Sequence, residues 1–93
     1  MTVRPLELPA PMEKLAFSRY FFNVKDGREF IDQEGTEISS MAEVRGDAIE
    51  MAGRMIGEMG DAFWGISEWT MTVTDEAGGV VLTLTFAGRQ HVH

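Results

Sequence analysis

The sequence predicts an α+β fold in which two antiparallel hairpins are joined through one helix, in the order β-β-α-β-β. Three observations predict it: an aromatic run that turns at Asp26-Gly27, a capped helix that begins after Ser40, and two stretches that alternate large apolar residues with threonine. Hairpins separated by one amphipathic helix are typical of a helix packed on an antiparallel sheet. We therefore expect the helix to pack across one face of a four-stranded sheet.

The length of the chain allows one domain. Its 93 residues lie within the range of about 50–250 residues that a domain occupies. All three prolines lie near the start, in a stretch without helix or strand periodicity. We predict an extended or flexible arm over residues 1–17, one α+β domain over residues 18–88 and a C-terminal tail over residues 89–93.

The first hairpin is predicted from an aromatic and β-branched run that meets Asp26-Gly27. This dipeptide tolerates the positive φ angles that a two-residue type I′ turn requires. Since successive side chains of a strand point to opposite faces, Tyr20, Phe22 and Val24 are expected on the core face.

The helix is predicted to begin with a capping box, in which the Ser40 hydroxyl accepts from the N–H of Glu43. Apolar residues follow at helical spacing on one side and charged residues on the other, up to residues 57–60. The methionines of this helix are expected in the core rather than on a partner-binding surface.

Three interior glycines form a stripe between the apolar and charged sides of the helix. A glycine inside a helix is about 1 kcal/mol less favourable than alanine. The stripe indicates either close approach of another backbone or a sequence that tertiary packing tolerates. Its members are Gly46, Gly53 and Gly57.

The second hairpin is predicted from two stretches that alternate apolar residues with threonine. Trp69, Met71 and Val73 are expected to face the core, and the threonines to form a wet face. The connection from Asp75 to Gly79 is typical of a type I turn followed by a left-handed glycine and a bulge.

Composition excludes several classes of partner and location. Eight basic against 15 acidic residues give a net charge of −7, which repels nucleic acid and anionic lipid. No apolar run approaches the roughly 18 residues of a membrane span. Because the chain contains no cysteine, it has no disulfide or thiolate chemistry, which suits a reducing compartment. We expect a soluble, cytoplasmic protein that binds neither nucleic acid nor membranes.

Two clusters could in principle hold a metal, and neither pattern is complete. His91 and His93 are spaced for one side of a strand, but they lie in the tail without a third ligand. Asp32, Glu34 and Glu37 resemble a calcium loop superficially, but the spacing fails and a turn leading into the helix is favoured. We expect no metal, no cofactor and no catalytic residue, and therefore no enzymatic activity.

Several motifs occur in an order similar to that of a known family. They are Arg-Tyr-Phe-Phe-Asn-Val from Arg19, Asp26-Gly27, an acidic segment from Asp32, and Val-Thr-Asp-Glu-Ala-Gly from Val73. This sequence resembles an uncharacterised domain-of-unknown-function family of short bacterial proteins, common in alphaproteobacteria. The resemblance implies the β-β-α-β-β fold and a bacterial source, and it implies no activity, catalytic residues or cofactor.

Two function classes remain after these exclusions. The favoured one is a small acidic, non-catalytic protein-interaction or regulatory module, which the apolar arm and the glycine stripe support. The alternative is a binding protein for a small apolar or cationic ligand between helix and sheet, in a pocket lined by Phe22, Trp64 and Trp69.

We also expect a homo-oligomer, most simply a two-fold dimer. A folded region of about 70 residues rarely draws more than about 3–5 kcal/mol from one core. The candidate interface consists of Phe21, which is the aromatic residue of the otherwise polar sheet face, and of Gly46, Gly53 and Gly57, which would let two helices approach closely.

Overall fold

The computed structural model describes residues 17–92. The predicted arm therefore lies outside the described residues except for Phe17, and His93 lies outside them too. Within the described range the chain forms five strands, one α-helix and one 3₁₀ helix, which confirms the α+β class with one strand more than expected. The elements are β1 (Ser18–Lys25), β2 (Glu29–Phe30), β3 (Thr36–Ile38), α1 (Met41–Met59), the 3₁₀ helix (Gly60–Gly65), β4 (Trp69–Thr74) and β5 (Val80–Phe86).

The sheet is antiparallel and places the two hairpins side by side. Its order is β2-β1-β4-β5, and β3 pairs with the start of β1. Strand β1 joins β4 in a register that runs from Phe21 opposite Thr74 to Lys25 opposite Thr70. The first and fourth strands therefore form the centre of the sheet, and β5 lies at one end of the order.

The first hairpin forms, but its predicted turn length is wrong. Lys25 pairs with Glu29, so the loop contains the three residues 26–28 rather than two. Gly27 has a φ of +103°, and the Asp26 carboxylate accepts a hydrogen bond from the Arg28 N–H at 3.3 Å. This side-chain bond stabilises the longer loop, because it occupies a backbone donor that the turn leaves free.

The segment before the helix is partly a strand, whereas the sequence predicts a turn there. Residues Thr36–Ile38 pair with Ser18–Tyr20 at the start of β1. Ile38 thereby becomes a buried core residue. A strand of three residues with one core-facing side chain is too short to show a period, so the sequence alone does not predict it.

Helix α1 begins at the predicted cap. The Ser40 Oγ accepts a hydrogen bond from the Glu43 N–H at 3.1 Å. The Glu43 carboxylate accepts from the Ser39 hydroxyl at 3.1 Å instead of closing the capping box on Ser40. The helix ends at Met59, because Gly60 follows it with a φ of +59° that breaks the α-helical path.

The core lies between α1 and the inner face of the sheet. Trp69 is fully buried, as its alternation with threonine predicts, and Ala48 and Ala52 let the helix approach the sheet closely. The helix methionines pack partly buried against this core, as predicted. The buried side chains are Phe22, Val24, Ile38, Val44, Ala48, Ala52, Trp69, Met71 and Val73.

The turn between β4 and β5 has the predicted form. The Gly78 N–H donates to the Asp75 carbonyl at 3.0 Å, and Gly78 has a φ of +87°. The pairing register then shifts beside Val73 and Thr74, which marks the predicted irregularity and leaves Val81 as the extra residue of β5. Among residues 17–92, no helix has both the length and the hydropathy that a membrane span needs.

Candidate functional site

The acidic segment after β2 is tied to the backbone of the sheet by Asp32. One carboxylate oxygen, Oδ2, accepts from the Phe22 N–H of β1 at 3.0 Å. The other, Oδ1, accepts from the N–H groups of Glu34 at 3.1 Å and Gly35 at 3.0 Å. Asp32 therefore stands where the pairing of β1 is interrupted between β2 and β3, and it satisfies a backbone donor that would otherwise lack a partner.

The environment of Asp32 favours its charged form. Partial burial raises the pKa of the carboxyl, but the N–H groups of Gly35, Phe22 and Glu34 together outweigh it and hold the pKa below its ordinary value of 3.8. A general acid needs the opposite shift. In the part of the chain that the structure describes, no group of three or more His, Cys, Asp or Glu residues could hold a metal ion. The three backbone hydrogen bonds that its carboxylate accepts give Asp32 a structural role.

Two more side chains of β1 complete this network. The Asn23 Oδ1 accepts from the Asp32 N–H at 3.0 Å, and its Nδ2 donates to the Thr72 carbonyl of β4 at 3.1 Å. Arg19 donates to the Glu34 carbonyl at 2.9 Å and to the Glu37 carboxylate at 3.1 Å. The network thus binds the segment between β2 and β3 to two strands of the sheet.

Phe21, predicted as an interface residue, is half-buried by its own chain. Gly35 has a φ of +72°, and a Cβ at that position would lie 2.8 Å from Phe21 Cε2 and 2.7 Å from Arg19 Cγ. Only glycine fits so close to these side chains. The loop therefore already covers part of the Phe21 ring that was expected to face a partner.

The predicted glycine stripe of α1 faces open space. Gly46, Gly53 and Gly57 are exposed, and a Cβ added at any of them would meet nothing within 4 Å. Within residues 17–92, no other backbone approaches the stripe. The prediction that another backbone approaches the glycines is therefore wrong for contacts within these residues. Contact of the stripe with a second molecule stays a prediction.

The three residues of the predicted ligand pocket are not brought together. Trp69 is 0% exposed and Phe22 is 6% exposed, and both belong to the core. Trp64 lies on the 3₁₀ helix and is 57% exposed. Phe22 and Trp69 are buried because α1 packs closely on the sheet. The three residues therefore do not line one open pocket.

Trp64 borders a surface hollow instead. The backbone at Gly88 packs against it so closely that an added Cβ would lie 2.6 Å from Trp64 Cζ3. The hollow has a volume of about 810 Å³. Its lining residues are Asp61, Trp64, Gly65, Arg89, Gln90 and His91. Of the predicted histidine pair, His91 lines this hollow and His93 lies outside the described residues.

Strand β5 forms the other notable surface, because it ends the sheet order and pairs only with β4 among the described residues. It is seven residues long. Its inward side chains Leu82, Leu84 and Phe86 are only partly buried, whereas those of β4 are fully buried. Val80, at its start, is 62% exposed. The inner apolar layer of the sheet therefore reaches the surface along β5.

The β5 edge also lacks charge. No Asp, Glu, Lys or Arg occurs between Glu76 and Arg89. Natural sheets usually protect an edge with charges, proline or short strands. The uncharged run is visible in the sequence, but its position at an edge of the sheet is not, so the sequence alone does not indicate this surface.

Comparison with protein families shows which family the chain matches. A family model described as Domain of unknown function (DUF6894) covers residues 19–87. The chain belongs to this family. Searches of curated proteins and of solved structures found no match.

The DUF6894 match includes the Asp32 network, helix α1 and strand β5. The expected membership in a family of unknown function is confirmed. The family description names no activity, so it assigns no role to any of these features. The bacterial source that the resemblance implied stays a prediction.

Proposed function

We propose that this DUF6894 protein is a non-catalytic protein-interaction module that binds an extended segment of a partner along β5. The observation that carries the proposal is the length and exposure of this uncharged edge strand. An edge strand presents a row of backbone donors and acceptors that another strand satisfies by β-strand addition. Main-chain hydrogen bonds then supply affinity, and alternate side chains supply specificity.

The side chains beside β5 indicate what such a segment contains. Residues that face the helix side would extend the row of Leu82, Leu84 and Phe86, so they should be apolar. Residues on the opposite side would lie beside Thr83 and Thr85, which are exposed, so they should be polar. The expected ligand is an alternating apolar and polar segment.

The ionisable groups support a non-catalytic role. Among residues 17–92 no charged or polar residue is buried. Acid–base catalysis usually depends on burial or on neighbouring charges that bring a pKa towards neutrality. At Asp32, the backbone hydrogen bonds lower the carboxyl pKa instead. We further propose a cytoplasmic location, on the grounds of composition.

The test is selection of peptides that bind the full-length protein, followed by mapping of bound peptides by backbone amide chemical shifts. We expect alternating sequences whose largest shifts lie in β5. A Trp64→Ala variant should retain peptide binding, because that side chain belongs to another surface. Shifts centred on the hollow or on α1, with β5 unaffected, would contradict the proposal.

A second candidate function rests on Trp64. Its exposed indole borders the same hollow as the Asp61 carboxylate, and an aromatic face beside a carboxylate attracts a cation. We propose this surface as the alternative site for a small cationic ligand. Titration with tetramethylammonium should change tryptophan fluorescence, and Trp64→Phe should abolish the change. An unchanged fluorescence response in Trp64→Phe would show that the signal comes from Trp69 and would exclude this site.

A further inference from the structure

We infer that the strand that pairs with β5 is the β5 of a second copy, so that two chains form one continuous antiparallel sheet about a two-fold axis. The inference rests on the proposed function, because it requires that β5 binds a strand. It moves the expected dimer interface from Phe21 and the glycine stripe to the free edge of the sheet.

The pattern of β5 is complementary to itself. In an antiparallel pair, residues directly opposite each other lie on the same face. A two-fold axis at Leu84 would place Leu82 opposite the partner's Phe86, and Thr83 opposite the partner's Thr85. Every apolar side chain would then meet an apolar one, and every threonine a threonine. Any two-fold axis centred on a residue of the alternating part of β5 preserves this match, since the period of a strand is two.

The inner layer of the sheet is incomplete in one copy and would continue into the second. Leu82, Leu84 and Phe86 pack against the core yet stay partly exposed at its margin. A two-fold axis perpendicular to the sheet places both inner faces on the same side. The two rows would then form one apolar layer beneath the two helices, and burial of this surface would favour association.

Charge favours the same edge. Each copy has a net charge of −7, so contact between two copies is opposed over most of the surface. The 12 residues 77–88 carry no charge. The glycine stripe of α1, by contrast, has charged neighbours on the helix, Glu50 and Arg54. The β5 edge therefore brings two acidic chains together through strands that carry no charge.

The test begins with molar mass by light scattering and with sedimentation over a range of concentrations, using the full chain. We expect a species of twice the 10.4 kDa chain mass. Leu84→Lys should raise the dimer dissociation constant at least about 100-fold, because the partner strand would cover the added charge. Ile49→Lys is the matched control, since Ile49 is exposed beside the glycine stripe, and it should change the constant less than about threefold.

Single-cysteine variants keep the test decisive if Leu84→Lys does not fold. The chain has no cysteine of its own, and a disulfide requires Cα atoms within about 7 Å. An axis at Leu84 places Thr83 directly opposite the partner's Thr85. A mixture of Thr83→Cys and Thr85→Cys chains should therefore form a covalent dimer at least about tenfold faster than Thr72→Cys, which lies on the same sheet face one strand further in. Equal rates for this mixture and for Thr72→Cys would overturn the inference.

The outcomes also separate this inference from the proposed function. A monomer that still binds peptides along β5 would overturn the dimer and retain the strand-binding module. A dimer that Ile49→Lys disrupts and Leu84→Lys does not would overturn the β5 interface. A dimer that depends on β5 and whose β5 amides all resist hydrogen exchange would support both.

Discussion

The two sides of the sheet beyond its central strands are built differently. Beyond β1, the chain places two short strands, of two and three residues, and fills the gap between them with the Asp32 carboxylate. Charged side chains accompany them, as in the ion pair of Arg19 and Glu37 at 3.1 Å. Beyond β4, the described part of the chain places β5 alone, seven residues long and without charge.

This difference shows that the same sheet applies edge protection on one side and omits it on the other. Short strands and charges prevent strand addition on the β2 side. Their absence from β5 is the observation on which the proposed strand binding at β5 rests. We expect the stability of the β2 side to depend on the hydrogen bonds of Asp32. On the β5 side, we expect stability to depend less on the side chains of β5 itself.

The largest effect is expected at the centre of the sheet. Trp69→Ala should lower the free energy of unfolding by about 3–5 kcal/mol, since the side chain is fully buried. Phe86 of β5 packs edge to face with Trp69, with 5.7 Å between the two ring centroids, and it is only partly buried. Phe86→Ala should therefore cost at least about 1 kcal/mol less in chemical denaturation of the same protein. Equal losses would show that β5 is as enclosed as β4.

On the protected side, Asp32→Ala should lower the free energy of unfolding by about 2–3 kcal/mol. The substitution leaves the Phe22 N–H and two loop N–H groups without their acceptor. Asp32→Asn, which keeps one acceptor oxygen, should fall between the parent and Asp32→Ala in urea unfolding. A change below about 0.5 kcal/mol for Asp32→Ala would mean that water replaces the carboxylate and that this side is not held by it.

The loop that Asp32 holds has no room for a side chain at residue 35. Gly35→Ala should destabilise the protein by roughly 1–2 kcal/mol, because φ is +72° and the added Cβ would lie 2.7 Å from Arg19 Cγ. Gly27→Ala provides the control for φ alone, since Gly27 has a φ of +103° and open space around it. Thermal melts should show a larger loss at Gly35, and the reverse order would exclude close packing of this loop.

The exposed glycines of α1 should respond in the opposite direction. Gly53→Ala should raise the free energy of unfolding by about 0.5–1 kcal/mol, because the new methyl group meets open space and alanine favours the helix. Sedimentation of the same variant should give an unchanged dimer. Loss of the dimer together with lower stability would return the glycine stripe to the interface and remove that role from β5.

The smallest effect is expected from pH. The pKa of Asp32 is lower in the folded state than its ordinary value of 3.8, so folding favours the carboxylate. Its contribution to stability is present above this ordinary value and is lost as the pH falls through the lower folded-state pKa. Urea unfolding in acid should show this loss in the parent and a smaller loss in Asp32→Asn. Identical acid profiles would contradict the assigned hydrogen bonds.

The sequence by itself determined the features whose causes lie within a few residues. The alternation of Trp69, Met71 and Val73 with threonine assigned the inward face of β4, and this face is the buried one. The Ser40 cap and the Asp75–Gly78 turn each depend on residues three positions apart. Such local patterns determine both the type of an element and the face that it buries.

Only the tertiary structure decided the role of Asp32, the exposure of Trp64 and the position of β5 at the end of the strand order of the described residues. Asp32 accepts from a backbone N–H ten residues away, and no pattern in the acidic segment indicates that partner. The two tryptophans are chemically alike, but α1 covers the strand that carries Trp69, whereas Trp64 lies on the 3₁₀ helix at the surface. An edge is a property of strand order, and strand order follows from which long-range pairs form, since β1 joins β4 across 45 to 53 residues of chain.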